Sequence, residues 1–254
     1  MNGKVRAKNE DGFLLSLGKE DSSIITSEDY HENQVYSSGI LDLDWLVSVI
    51  IDGMGGMGDG DIARDVLLQS FQSTFHSQAV QNIEEIFDQN LEKGNQFLLN
   101  VKSANRYKDM GAVVSSGLFY KSNFYISHIG DARIYLHRER TLKCLTSDHT
   151  YLNQFLKSKN LTLEEAKTHP LRNMVLKSLG FENVIHPDKF TVPFFPGDLF
   201  LFLTDGVYGE LSHSKMETIL NQENSLASRM DELVQATFHS ECKDNFTAIS
   251  VQML

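Results

Sequence analysis

The stretch Gly111-Ala-Val-Val-Ser-Ser-Gly-Leu-Phe-Tyr120-Lys-Ser-Asn123-Phe-Tyr-Ile-Ser-His-Ile129-Gly-Asp131-Ala-Arg133-Ile-Tyr-Leu-His137-Arg-Glu-Arg140-Thr-Leu142-Lys-Cys-Leu145 holds four strand-like runs in succession with no helix between them. Gly111–Tyr120, Asn123–Ile129, Arg133–His137 and Leu142–Leu145 are rich in β-branched and aromatic residues, and Lys121-Ser122 and Arg138-Glu-Arg140 suit tight connections, so the pattern predicts an antiparallel meander. Upstream, Phe13–Leu17 reads as a strand and Trp45–Ile51 as a buried one. From Asp61 the apolar positions Ile62, Ala63, Val66, Leu67, Phe71 and Phe75 recur at helical spacing, and a second amphipathic helix is expected through Ile83, Ile86, Phe87, Leu91, Phe97, Leu98 and Val101.

Downstream, the pattern turns helical beyond Asp148, and Thr162-Leu-Glu-Glu165 fits a capping box before Pro170. Phe190–Val192 and Leu199–Leu203 are expected as strands around the turn Pro196-Gly-Asp198. Leu226–Phe238 reads as a helix and Phe246–Met253 as a closing strand. Strands cluster and helices come in pairs. A parallel doubly wound sheet fits this poorly, and an α+β fold of sheets packed face to face under helices fits it well.

With 254 residues, 41% of them hydrophobic, the chain suits one domain, and no composition shift divides it. A net charge of −11 argues against a nucleic-acid surface. Cys144 and Cys242 show no metal or redox spacing, which favours reduced thiols. The first ten residues lack the apolar core of a signal peptide, and no apolar run approaches the roughly 18 residues that span a bilayer. The expectation is a cytoplasmic protein without membrane or nucleic-acid partners.

Four aspartates stand at or just past the ends of apolar or strand-like runs: Asp52, Asp131, Asp205 and Asp244. Like-charged carboxylates brought together at neutral pH persist only if some hold protons or a divalent cation neutralises them. Hard oxygen ligands without a converging Cys/His set point to Mg²⁺ or Mn²⁺. An EF-hand is not indicated, since none of the four sites has closely spaced oxygen ligands with a terminal Glu. An aspartyl-phosphate phosphotransferase would need a second aspartate at the position of Met54.

Arg6 with Asn9-Glu-Asp11, Asp52-Gly-Met-Gly-Gly56, Gly130-Asp-Ala-Arg133, Leu145-Thr-Ser-Asp-His149, Leu179-Gly180, Gly197-Asp198, Thr204-Asp-Gly206 and Asp244-Asn245 follow one another along nearly the whole chain. In order and flanks they resemble the metal-dependent protein phosphatases of type 2C, in their compact bacterial form. The resemblance implies a four-layer α-β-β-α sandwich with a two-metal site at one edge of two mostly antiparallel sheets. It implies a single catalytic domain over residues 1–254, with a flap subdomain at about 148–187. It assigns Asp52 as the bridging metal ligand, the Gly53 carbonyl to one ion, and Asp205 and Asp244 to the other. Glu10 and Asp11 match acidic positions that serve the second metal directly or through water. Asp131, with Asp205, matches the site of a third and weaker ion, and Arg6 matches the arginine that grips the substrate phosphate.

The implied activity is serine/threonine phosphoprotein phosphatase: a metal-bridging hydroxide attacks the phosphate monoester directly, so no cysteine or serine nucleophile is needed. The alternative is a non-catalytic regulatory module of the same fold. Implied partners are phosphoserine and phosphothreonine proteins, including a cognate kinase or its substrates, met by a monomer. Met54 departs from the histidine of many eukaryotic relatives and cannot donate a proton. Ala112-Val113 and Ala132 depart from a threonine pair and a serine. Asp148-His149 could form a catalytic pair, but a structural role is expected, with the histidine orienting a loop. Lys157, Lys159, Lys167, His169, Arg172 and Lys177 make the flap region basic on an acidic chain.

Overall fold

The computed structural model describes residues 1, 3–6, 8–19, 22–26, 43–55, 59–75, 83–158, 165, 168–171 and 174–254. Among the described residues ten strands form two sheets. The first has the order β2 (Ser22–Thr26), β1 (Asp11–Lys19), β3 (Trp45–Met54), β4 (Gly111–Tyr120), β5 (Asn123–Ile129), β8 (Asp188–Pro193). The second has the order β10 (Ala248–Gln252), β9 (Leu199–Leu203), β6 (Arg133–Arg138), β7 (Thr141–Cys144). Every strand pairing is antiparallel.

Two-residue alternation sorts the side chains into layers. On β3, Val47, Val49 and Ile51 pack under α1 (Gly60–Phe75), α2 (Ile83–Asp88) and α3 (Asn90–Asn105), whereas Ile50 faces the other sheet. On β9, Phe200 and Phe202 point between the sheets, and Leu199, Leu201 and Leu203 meet α6 (His213–Leu220) and α7 (Leu226–His239). Three cores result, and with them the α-β-β-α sandwich. Phe119, Phe124 and Phe200 form the inter-sheet centre, with ring centroids 4.2, 4.5 and 5.1 Å apart. Each such pair adds about 0.5–1.5 kcal/mol beyond its area.

The structure corrects the expected meander. β4 and β5 form a hairpin, but β6 leaves the first sheet and pairs with β7 and β9 in the second. Gly130-Asp131-Ala132 is therefore a crossing between sheets. The turn at Pro196-Gly-Asp198 is likewise a crossing, because β8 lies at the edge of the first sheet and β9 inside the second. The expected helix from Ile83 to Val101 is broken at Gln89, which is followed by buried Asn90, whose side-chain amide donates to Ser116 Oγ at 3.3 Å. The strand β2 and the short helices α5 (Asp205–Tyr208) and α6 were not anticipated. The helix after Asp148 is α4 (Tyr151–Ser158). The capping box at Thr162 lies outside the described residues.

Candidate metal and phosphate site

Strand register brings the aspartates to one end of the sandwich. Asp11 opens β1 and faces Asp52 near the end of β3 as a direct cross-strand partner. In the second sheet the end of β9 at Leu203 pairs with Ala248 of β10 and Arg133 of β6, so Asp205, the residues after Asp244 and the crossing at Asp131 gather at the same end. Asp11 is 3% exposed, and Thr204 Oγ1 donates to its Oδ2 at 2.7 Å.

The electrostatics follow from this crowding. Burial first, then Asp11, Asp205, Asp131 and Asp244, push the Asp52 carboxyl well above the usual range. Burial lifts Asp11 to about 7, against the hydrogen bond from Thr204. Asp131 rises to about 7 through burial and then Asp205, and Asp205 to about 6 through burial and then Asp244. Burial also raises Glu10, with Arg6 opposing. Such a set holds protons unless cations take their place.

The donor chemistry fits a hard divalent cation. All the assigned groups offer oxygen, and the backbone adds one more. A Cβ on Gly60 would lie 2.7 Å from both Gly53 O and Glu10 Oε1, and one on Gly53 would lie 2.1 Å from Gly60 O. Only glycines let this carbonyl and this carboxylate stand side by side. Among the described residues no three His, Cys, Asp or Glu side chains close around one point as they stand. Two of the carboxylates are engaged elsewhere: Asp11 with Thr204, and Asp244 with Arg6.

Arg6 meets Asp244 as a fork, Nε to Oδ1 at 2.7 Å and Nη2 to Oδ2 at 2.8 Å, with Glu10 Oε2 at 3.8 Å. The expected phosphate-gripping residue thus sits within the acidic cluster, bound to an expected ligand. Sequence reasoning gave no role to several residues that hold the site. Asn245 accepts from Glu10 N–H at 2.9 Å and donates to Lys8 O at 3.0 Å, tying the N-terminal segment to the Asp244 loop. Arg64, 3% exposed on α1, donates to the carbonyl of Asn9. Tyr208 OH donates to Asp131 O at 2.9 Å. Asn245 belongs to the Asp244-Asn245 motif and Tyr208 lies two residues past Thr204-Asp-Gly206, whereas Arg64 carried no local signal.

Met54 packs against the inter-sheet core. Ala112 pairs its backbone with Leu179, at 3.2 and 2.8 Å, and Val113 is buried. Asp148 does not pair with His149. It takes the Arg133 guanidinium as a fork at 2.9 and 2.7 Å, while His149 Nδ1 accepts from Gly130 N–H at 3.0 Å. Burial pushes the His149 imidazole down, in keeping with a neutral acceptor.

The protein phosphatase 2C family model matches residues 25–246. The chain belongs to the protein phosphatase 2C family. It is 31% identical to protein phosphatase PhpP of Streptococcus pneumoniae over 96% of this chain and 97% of that one. To the serine/threonine phosphatase stp of Listeria welshimeri it is 29% identical, over 98% and 92%. The solved serine/threonine phosphatase of S. agalactiae superposes with a TM-score of 0.83 at 25% identity, covering 100% of this chain and 97% of that one. A structure of the PstP catalytic domain, 21% identical with a TM-score of 0.75, covers 99% and 96% and contains two manganese ions. At that identity the likeness is one of fold.

Proposed function

We propose how this metal-dependent serine/threonine protein phosphatase assigns its chemistry to residues. Asp52 would be the ligand shared by the cations, Mn²⁺ or Mg²⁺. The Gly53 carbonyl with Glu10 and Asp11 serves one side, and Asp205 with Asp244 serves the other. When bound, the cations supply an acidified water as nucleophile and neutralise charge at phosphorus. Asp11, Asp52, Asp131 and Asp205 stay ionised once their mutual repulsion is offset. Asp244 would serve as a cation ligand, and the Arg6 guanidinium that now forks onto it has the geometry to take two phosphate oxygens; a lysine would act there only as a point charge. Asp131 and Asp205 would hold a weaker third ion, and the Met54 thioether can donate no proton to a leaving group.

The observation that supports this reading is the desolvated cluster itself: burial and mutual repulsion lift Asp11, Asp131 and Asp205 to about 7, 7 and 6, and Asp52 well above the usual range. Hydrolysis of p-nitrophenyl phosphate and a phosphothreonine peptide, with Mn²⁺ and after EDTA, tests it. Turnover that requires the metal is expected, and full turnover in EDTA contradicts the assignment.

We further propose a cytoplasmic monomer acting on phosphoserine and phosphothreonine proteins, a cognate kinase or its substrates among them. The free thiols Cys144 and Cys242 suit a reducing compartment. No helix among the described residues is long and apolar enough to cross a membrane. The residues from Asp148 to about Pro187 act as a substrate-facing flap. Exposed Leu171, Met174 and Leu176 lie in the same segment as Lys157 and Lys177, a combination suited to an acidic segment with apolar anchors. Lys177 is partly engaged by Asp188 at 3.7 Å, and His169 stacks on Tyr151 with centroids 5.8 Å apart. Lys159, Lys167 and Arg172 lie outside the described residues.

A further inference from the structure

Asp131 sits in the middle of a three-residue crossing, and every backbone carbonyl of that crossing has a dedicated side-chain or backbone donor. Gly130 turns with φ +108°, and a Cβ there would lie 2.1 Å from Val113, so the peptide is pressed against β4. Both polar groups of Gly130 go to one residue. Its N–H donates to His149 Nδ1 at 3.0 Å, and its carbonyl accepts from His149 N–H at 2.7 Å.

The carbonyl of Asp131 accepts from Tyr208 OH at 2.9 Å, and that of Ala132 from Ser115 Oγ. Ser115 Oγ in turn faces His128 Nδ1 at 2.7 Å, and the His128 ring stacks on His149 with centroids 4.9 Å apart at 26°. Since Nδ1 of His149 accepts, its proton belongs on Nε2, which lies 3.2 Å from Asp188 Oδ1 without the alignment of a hydrogen bond. The second ring of a stacked pair thereby braces the first. A third contact runs outward: the carbonyl of His149 accepts from Leu176 N–H at 2.7 Å, beside the bridge between Thr150 and Val175.

We infer that His149 is the positioning residue for Asp131: its ring nitrogen and its amide clamp Gly130, and so fix where the Asp131 carboxylate stands relative to Asp205. The inference rests on the role proposed above for Asp131 in turnover. The hydrogen bond that the His149 ring makes to the crossing is to the Gly130 amide, so its removal acts on the catalytic end through the segment that carries Asp131. A misplacement of the order of 1 Å at a reacting centre costs on the order of 10²-fold. The loss falls on substrates whose leaving group needs a proton.

The test uses the full chain with Mn²⁺ and compares His149→Ala, His149→Asn, Asp131→Ala and the double variant His149→Ala/Asp131→Ala. Substrates are a phosphothreonine peptide, whose alkoxide leaves poorly, and p-nitrophenyl phosphate, whose phenolate leaves readily. His149→Ala is expected to lower kcat on the peptide by roughly 10–100-fold with little change in KM, and to lower kcat on the aryl phosphate far less. Asn places an oxygen acceptor near the position of Nδ1 and is expected to recover most of the loss. The double variant is expected to be no worse than Asp131→Ala.

Equal losses on both substrates for His149→Ala, no recovery with Asn, or additive losses in the double variant would overturn the inference. An Asp131→Ala enzyme that loses both substrates equally removes the leaving-group role of Asp131, and coupling in the double variant then decides the His149 clamp by itself. Should His149→Ala fail to fold, imidazole ¹⁵N shifts of the wild-type protein read the tautomer. A proton on Nε2 with a hydrogen-bonded Gly130 amide supports the clamp, and a proton on Nδ1 overturns it.

Discussion

Asp131 and Asp198 each follow a glycine of positive φ, Gly130 at +108° and Gly197 at +91°, and each sits where the chain leaves the first sheet for the second. Their electrostatic fates are opposite. Asp198, 2% exposed, has burial working to raise its pKa, yet the Arg138 fork at 2.7 and 2.6 Å and the Phe195 amide hold it below the usual range. Asp131 has no such fork and is pushed up to about 7. Arg133, two residues away, gives its guanidinium to Asp148 instead. A buried carboxylate with a matched arginine is a structural clamp. One without it, among other carboxylates, is what the proposed cation site requires.

The strongest way to break this contrast is to neutralise the unpaired cluster. Asp52→Asn and Asp205→Asn should each reduce phosphatase turnover on the order of 10³-fold or more, since each removes a ligand from the groups that activate the water, a loss of several kcal/mol. Steady-state rates over a Mn²⁺ range would check this, and near wild-type rates at saturating metal would undo the assignment.

The second probe is pH. Asp11, Asp131 and Asp205 have folded-state values raised to about 7, 7 and 6, against roughly 4 when unfolded. Between these limits the folded chain in EDTA binds more protons than the unfolded one, so its stability should fall as pH rises from about 4 through about 7. Urea unfolding at stepped pH, with EDTA and with Mn²⁺, measures it. The slope should flatten with Mn²⁺, and an identical slope in both conditions would contradict a cation-neutralised cluster.

Third, Arg138→Ala should destabilise the protein by about 2 kcal/mol, less than a fully buried pair because Arg138 is 35% exposed. Turnover of the folded fraction should not change, which separates the structural carboxylate from the catalytic ones. The smallest effect is expected of Arg6→Lys. It keeps the charge but loses the fork, and should cost about tenfold in kcat/KM; no change would make Arg6 a surface charge.

Much of this was legible in sequence because it is local. Gly111–Tyr120 is a run of small, β-branched and aromatic residues buried along nearly its whole length, and the aspartates Asp52, Asp131 and Asp205 follow recognisable runs. What failed is what depends on distant partners. Asn123–Ile129 and Arg133–Arg138 both read as short strands of apolar and aromatic residues, so nothing local shows that the chain changes sheets at Gly130. The apolar stripe of α2 and α3 likewise runs through Gln89 and hides the break. Gly130-Asp131 and Gly197-Asp198 read alike because the arginine that distinguishes the second stands 60 residues earlier, at Arg138. The fork of Arg6 on Asp244, across 238 residues, was hidden for the same reason.

The most direct measurement is calorimetric titration of Mn²⁺ into the wild-type protein, Asp52→Asn and Asp198→Asn at pH 7.5. If the unpaired cluster is the cation site, the wild type and Asp198→Asn bind two equivalents tightly and Asp52→Asn loses at least one of them. Two tight equivalents in Asp52→Asn, or a lost equivalent in folded Asp198→Asn, would contradict the account.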